Sequence, residues 1–147
     1  MKKALLFLLA LLPLMASADV VEIDGINYNL DAEAKKAEVT SSPDRYKGDI
    51  VVPPTVTYKD VEYDVTSVGE SAFANCSWDL TSVKLPDGIT SIAGCYDWGG
   101  FFGGGAFENC GITSLVIPSS VTSIGTGAFS GCSNLTSIVV DEGNTDV

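Results

Sequence analysis

Histidine is absent from this chain of 147 residues, and its absence removes the commonest general base of enzymes. Nucleophilic systems that pair serine or cysteine with histidine are therefore excluded, and zinc sites lose one of their usual ligand types. The acidic residues are scattered, and Asp87, Asp97 and Glu108 occur in no recognisable acid–base pair. No calcium-binding loop of the form D-x-[DN]-x-[DN]-G is present. We expect a non-catalytic protein that binds no metal and needs no cofactor.

Basic residues are also scarce, because 8 lysines and arginines face 19 aspartates and glutamates, a net charge of −11. Nucleic acids are excluded as partners, since binding to phosphates depends on clustered lysine and arginine side chains. The same charge disfavours anionic membrane surfaces. It keeps a secreted domain dispersed and can attract cationic partners.

Long apolar runs are missing everywhere except at the N-terminus. Basic residues 2–3 precede an apolar run at residues 4–15, and small residues then provide a cleavage site after Ala18. This pattern predicts that residues 1–18 form a secretory signal peptide. The run is too short for a membrane span, which needs about 20 apolar residues. We therefore expect a secreted or cell-surface protein that does not insert into the membrane after cleavage.

Repetition is the feature that the chain has in abundance. The triplet Thr-Ser-aliphatic occurs six times, and three longer segments read Gly-x-x-Ala-Phe-x-x-Cys followed by Leu/Ile-Thr-Ser. The aromatic and cysteine positions of these segments are Phe73 and Cys76, Phe107 and Cys110, and Phe129 and Cys132. Allowing for small insertions, the unit is 23 residues long, within the range of leucine-rich repeats. The sequence therefore predicts a leucine-rich repeat solenoid of three stacked coils with short parallel β-strands. Each Ala-Phe pair is predicted to begin a helical or 3₁₀ turn, and the phenylalanine ring is predicted to fill the interior of its coil.

Each unit carries the L-x-x-L-x-L pattern of a short strand. Because side chains alternate between the two faces of a strand, Val83 and Leu85 of the first unit are predicted to point inward. The outward positions of the three units are Ser82, Lys84, Ser114, Val116, Ser137 and Val139. This row is the first candidate contact surface, and its apolar Val116 and Val139 suit a protein partner better than a sugar.

The region before the repeats follows a different pattern. Residues 20–30 read as a β-hairpin around Asp24-Gly25, and residues 50–53 resemble the aliphatic-proline step of a degenerate repeat. We predict that residues 19–64 form a β-rich cap on the repeats at residues 65–147, because an uncapped solenoid exposes apolar surface and free strand edges.

A glycine-rich insertion at residues 93–104 interrupts the repeats. Its aromatic residues are Tyr96, Trp98, Phe101 and Phe102. Aromatic side chains on a mobile loop can anchor a protein partner or stack on sugars, and they can also fold back over the neighbouring coil, with Trp78 as a packing neighbour. The insertion is the second candidate contact surface, and carbohydrate capture through Tyr96 and Trp98 stays open.

Four cysteines in an exported chain raise the question of disulfides. Cys76, Cys110 and Cys132 share one repeat position, which predicts a buried column of thiols, while Cys95 lies in the insertion. One disulfide and a metal site remain as alternatives, although no C-x-x-C pair supports the metal.

Two segments carry a specific resemblance. Residues 65–76 read Val-Thr-Ser-Val-Gly-Glu-Ser-Ala-Phe-Ala-Asn-Cys, and residues 121–138 repeat this pattern and extend it with Ser-Asn-Leu-Thr-Ser-Ile. The chain resembles BspA-like leucine-rich repeat proteins, and residues 28–53 are similar to the leader before their repeats. The resemblance implies an exported binding or adhesion protein whose partners are host extracellular or bacterial surface proteins. The insertion and the abrupt end depart from the family pattern, so a truncated or structural piece of a longer array, with no ligand of its own, is the alternative.

Overall fold

The computed structural model describes residues 19–99 and 101–143, and the predicted signal peptide lies outside these residues. Within the described part the chain forms short strands and turns, with no helix that could cross a membrane. The strands are β1 (Asp19–Ile23), β2 (Ile26–Asp31), β3 (Lys36–Val39), β4 (Gly48–Val51), β5 (Thr55–Tyr58), β6 (Val61–Val68), β7 (Leu80–Lys84), β8 (Ser91–Ile92), β9 (Tyr96–Trp98), β10 (Phe101–Gly103), β11 (Ser114–Ile117), β12 (Ser123–Ile124) and β13 (Ser137–Val140).

Each repeat unit winds once and contributes a strand to each of two faces. On one face, β6, β8 and β12 pair in parallel, with Ser67, Ser91 and Ser123 aligned across the three strands. We call this face, together with the N-terminal strands that extend it, the continuous sheet. On the other face β4 pairs in parallel with β7, and β11 pairs in parallel with β13. The predicted solenoid of parallel strands is therefore confirmed.

The N-terminal region extends the continuous sheet beyond the repeats. β1 and β2 form the predicted antiparallel hairpin, β2 pairs with β3, and β3 lies parallel to β6. β5 forms a second hairpin with β6. β6 runs through the predicted boundary between residues 64 and 65, so the cap and the first coil share a strand.

A column of aromatic rings runs through the interior. The rings of Phe73 and Phe107 stack at 5.0 Å between centroids, and Phe107 stacks on Phe129 at 5.3 Å. Tyr46 from the N-terminal region continues the column beyond Phe73. The interior position predicted for the repeat phenylalanines is borne out by this packing, because Phe73 and Phe107 are fully buried.

The segments that begin with Ala-Phe are single turns closed by i→i−3 hydrogen bonds, which agrees with the 3₁₀ alternative: the Cys110 N–H donates to Phe107 O at 3.1 Å, and the Cys132 N–H donates to Phe129 O at 3.2 Å. No α-helix is found among the described residues. Other backbone groups of these turns bond between coils: the Phe73 N–H donates to Ala106 O at 2.7 Å, and the Phe107 N–H donates to Ala128 O at 2.8 Å. Backbone groups bonded to the neighbouring coil are not available for an i→i−4 helical ladder. Pairing between coils therefore prevents these turns from continuing into an α-helix.

The third coil departs from the predicted burial. Ile138 and Val140 occupy inward positions of the repeat, yet they are 47% and 42% exposed, whereas the equivalent Leu115 and Ile117 are buried. The pattern gives the direction of a side chain, but burial also needs a neighbour on both sides. Among the described strands, β13 has a neighbour only in β11.

Candidate functional site

The outward row predicted from the sequence lies on the face formed by β4, β7, β11 and β13, which we call the split face. Ser114 aligns with Ser137 and Val116 with Val139 across the ladder of β11 and β13. Val116 and Val139 are 49% and 52% exposed, so they form an apolar strip on two adjacent strands.

Val51 on β4 is a further exposed apolar residue of this face, and sequence reasoning did not include it. Its side chain is 63% exposed, and its backbone aligns with Lys84 on β7. The signal that could have identified it was the degenerate repeat at residues 50–53, which places an aliphatic residue at an outward strand position. Trp78, which was expected to pack against the insertion, is instead 92% exposed in the segment that precedes β7.

Ser82 is engaged in a hydrogen-bond cluster on the split face. Its hydroxyl donates to the Asp49 carboxylate at 2.6 Å, and the Thr81 hydroxyl donates to the same oxygen at 2.7 Å. These two bonds stabilise the charged form and hold the pKa of Asp49 below its usual range. Asp49 therefore presents a fixed negative charge beside the row.

The split face is interrupted between β7 and β11. The third coil is tied to the second, because the Thr136 N–H and hydroxyl both donate to Thr113 O, at 2.9 and 3.2 Å. Among the described residues no equivalent bond joins Thr113 to Thr81 of the first coil, and no ladder joins β7 to β11.

The cause of this interruption lies in the segments that lead into the strands. Three residues separate Cys76 from Leu80 in the first coil, whereas only Gly111 separates Cys110 from Ile112 in the second. Gly111 lies so close to the first coil that a Cβ there would be 2.3 Å from Ser77 O. The coils are thus in contact before the strands begin, but β7 begins at Leu80 whereas β11 begins two repeat positions later, at Ser114.

A groove of about 610 Å³ lies along this interruption. Ser82 and Lys84 of β7 form one wall, and Ser114 and Val116 of β11 form the other. Asp87 and Asp141 lie at the groove end where the strands have finished. Four of the six row residues thus line one concave surface, which combines apolar side chains, exposed backbone and two carboxylates.

The insertion forms a second, separate structure. Instead of the predicted loop it is an antiparallel hairpin of β9 and β10, and none of the described residues that line the groove belongs to it. Its base is held by the Cys95 N–H, which donates to Thr126 O at 2.7 Å. Tyr96 is 53% exposed, and its hydroxyl donates to the Glu70 carboxylate. The side chains of Trp98, Phe101 and Phe102 lie outside the described part, so their contacts remain predictions.

All four cysteines are free thiols in the structure. Burial raises the pKa of Cys110 to about 11, with smaller upward contributions from the neighbouring Cys132 and Cys76. The pKa values of Cys76 and Cys132 are also raised by burial. At neutral pH these groups are therefore protonated thiols, which are poor metal ligands and poor nucleophiles. The residues that the structure describes contain no group of three or more acidic or thiol side chains arranged to hold a metal ion.

Comparison with known proteins gives the same architecture. The model of the BspA type leucine rich repeat region matches residues 55–96 and 100–147, with six copies. No curated protein matches the chain.

Among solved structures, the chain is similar to a leucine-rich repeat protein from Bacteroides ovatus, with 28% identity and a TM-score of 0.42, over 81% of this chain and 40% of that one. It is similar to a leucine-rich repeat protein from Bacteroides capillosus, with 22% identity and a TM-score of 0.45, over 84% and 66%. The pneumococcal vaccine antigen PcpA shares the fold at 16% identity and a TM-score of 0.53, over 86% and 39%. The chain spans 40%, 66% and 39% of the lengths of these three structures. Since the repeat model matches more than half of its residues, the chain belongs to the BspA-type leucine-rich repeat family.

Proposed function

We propose that this protein is an exported binding or adhesion protein without catalytic activity, and that its split face binds a protein of the host extracellular surface or of another bacterial cell. The observation that carries this proposal is the exposed strip of Val116 and Val139 beside the groove. Aliphatic residues that a strand presents to solvent lose unfavourable contact with water when a partner covers them.

Family membership supports a binding role, because repeat solenoids offer extended surfaces rather than reactive centres. Export is supported by the signal sequence predicted at residues 1–18. The name of PcpA as a vaccine antigen is consistent with a protein that is reached from outside the cell. These lines favour a protein partner encountered beyond the membrane.

The test measures binding of the purified exported protein to a panel of host matrix proteins, intact bacterial cells and polysaccharides. Val116→Asp and Val139→Asp place a charge in the strip, and each is expected to weaken binding about tenfold or more, because interface cores disfavour charge. Val20→Asp is the matched control, since Val20 is a 59% exposed valine on the distant strand β1. Equal binding by all three variants and the unmodified protein would remove the split face from consideration.

A carbohydrate-binding role for the insertion is the second candidate, and the exposure of Tyr96 favours it. Aromatic rings stack on the apolar faces of sugars. In the same panel, Tyr96→Ala and Trp98→Ala would then reduce retention of polysaccharides and leave protein partners unaffected. If the protein retains no member of the panel, the result would instead favour a structural role within a repeat array, with no ligand of its own.

A further inference from the structure

The backbone of β7 has one free edge toward the groove. The Val52 N–H donates to Lys84 O at 3.0 Å, and Val51 aligns with Lys84, so the polar groups of Lys84 point to β4. In a parallel ladder the N–H and C=O of one residue point to the same side, and the side alternates along the strand. The N–H and C=O of Val83 therefore point toward β11.

The same reasoning applies to β11. The Asp141 N–H donates to Ile117 O at 3.0 Å, and Ile117 aligns with Val140, so the polar groups of Ile117 point to β13. By alternation, those of Ser114 and Val116 point toward β7. Among the described residues these groups form no hydrogen bond across the groove. The groove therefore has unused carbonyl oxygens and unused N–H groups along both walls.

The width of the groove limits what can enter it. Strands within a sheet are about 4.8 Å apart, so a third strand inserted between two others needs about 9.6 Å. Cα atoms of β7 and β11 come within 8 Å of each other. Where these Cα atoms lie, the gap is therefore too narrow for an inserted strand, and a side chain is the smaller occupant that remains.

The charges of the groove favour a cationic side chain. Asp87 and Asp141 are exposed at one end, and neither forms an ion pair with another described residue. The net charge of the whole chain is −11, which attracts cations to the surface as a whole. Lys84 on the β7 wall repels a second cation, so a cationic group is most stable at the aspartate end.

Arginine has the features that this groove requires. Its aliphatic stem can lie along the half-exposed Val116. Its guanidinium has five N–H donors and no acceptor, which suits a site of carboxylates and unpaired carbonyls. Lysine has only three donors on a compact charge, and arginine is also enriched at the energetic centres of interfaces.

We propose that the groove between β7 and β11 binds an arginine side chain of the partner protein. The guanidinium contacts Asp87 and Asp141 and donates to the free carbonyls of the walls, while the stem covers Val116. This inference rests on the proposed role of the split face and specifies the chemistry by which that face recognises its partner.

The test is an NMR titration of the ¹⁵N-labelled protein, purified after export, with the blocked pentapeptide Gly-Gly-Arg-Gly-Gly at about 0.15 M salt, where long-range attraction is screened. The matched peptides carry citrulline, lysine or glutamate in place of arginine. We expect the amides of Val83, Ser114 and Val116 to shift with the arginine peptide, and the citrulline peptide to bind about tenfold more weakly, because charge-assisted hydrogen bonds are lost.

The double variant Asp87→Asn and Asp141→Asn should weaken binding of the arginine peptide about tenfold, since it removes both charges that pair with the guanidinium. The double variant Asp24→Asn and Asp60→Asn is the matched control, because it removes two exposed charges from hairpin turns, where asparagine tolerates the φ values of 51° and 61°. Three results would each overturn the proposal. The arginine and citrulline peptides could bind equally, the shifts could spread over other acidic surfaces, or the arginine peptide could fail to bind. If Val116→Asp still abolishes capture of a partner while the arginine peptide does not bind, the arginine inference fails and the proposed function of the split face stands.

Discussion

The ring of Tyr46 lies against the ring of Phe73, with centroids 5.1 Å apart and planes tilted by 48°. Its hydroxyl accepts a hydrogen bond from the Asn27 N–H at 3.0 Å and donates one to Thr40 O at 2.7 Å. One side chain therefore joins the first hairpin of the N-terminal region to the aromatic column of the repeats. Because of this link, we expect the N-terminal region and the first coil to unfold together.

Two substitutions at Tyr46 separate the ring from the hydroxyl. Tyr46→Phe keeps the packed ring but leaves the buried Asn27 N–H without its acceptor, which should cost about 1–3 kcal/mol. Tyr46→Ala also removes the ring and should cost about 3–5 kcal/mol. Urea unfolding followed by far-ultraviolet circular dichroism measures both losses. A cost below about 1 kcal/mol for Tyr46→Ala would show that the ring does not belong to the core.

At Tyr28, loss of the hydroxyl is expected to preserve or raise the stability of the fold instead of lowering it. Its side chain is fully buried, and its hydroxyl has no hydrogen-bond partner among the described residues. Burial, and then the neighbouring Tyr46, raise the pKa of this hydroxyl above its ordinary value. Tyr28→Phe removes an unsatisfied polar group without changing the ring, so the free energy of unfolding should stay equal or rise by about 1 kcal/mol. A loss of stability in the same urea assay would indicate a partner for this hydroxyl.

The position of a ring within the aromatic column decides how much it contributes. Phe107 is fully buried between Phe73 and Phe129, whereas Phe129 is only partly buried and has one neighbour in the described column. Phe107→Ala should therefore cost about 3–5 kcal/mol, and Phe129→Ala clearly less. The midpoint of thermal unfolding ranks the two variants. The reverse order would mean that the third coil is more tightly packed than its exposure indicates.

Alkaline pH should weaken the fold through Cys110. Its folded pKa of about 11 lies above the ordinary value of 9.0 for a thiol. The unfolded state therefore loses this proton first, so stability is fully present below about pH 9 and is lost as the pH rises through 11. The free energy of unfolding, measured in urea at pH 8 and 11, should fall less in Cys110→Ala than in the unmodified protein. The difference should be on the order of 2 kcal/mol. An unchanged pH dependence in the variant would show that Cys110 does not control it.

Sequence patterns predicted those features of the fold that depend on local periodicity. The alternation along Leu80 to Leu85 gave the inward and outward directions of the strand residues, because a strand has a period of two. The recurrence of the Thr-Ser-aliphatic triplet predicted stacked units, but it did not predict the structural role of the threonine. In the structure the Thr90 hydroxyl donates to Thr66 O at 3.1 Å, and the Thr122 hydroxyl donates to Thr90 O at 3.3 Å. Threonine is therefore repeated because its side chain ties one coil to the next.

Features that depend on relations between coils were not visible in the sequence. The groove arises because two neighbouring coils have segments of different length before their strands, and neither segment alone predicts which ladder is lost. Tyr46 replaces a repeat phenylalanine, but no Ala-Phe motif marks its position. The exposure of Ile138 likewise depends on whether a neighbouring coil is present. Repetition thus predicts the average coil, and the candidate site lies where the coils differ.

Contact between Gly94 and Gly125 holds the base of the insertion against the next coil. A Cβ at Gly125 would be 2.2 Å from Gly94 N, and neither backbone can move away while the Cys95 N–H donates to Thr126 O. Gly125→Ala should therefore cost about 1–3 kcal/mol or more through overpacking, and exchange of the Cys95 amide with deuterium should become faster as the base opens. Gly103→Ala, within the hairpin itself, is the control, because its added Cβ would meet its nearest neighbour at an ordinary 4.0 Å. Equal stability of the two variants would contradict the close approach of these coils.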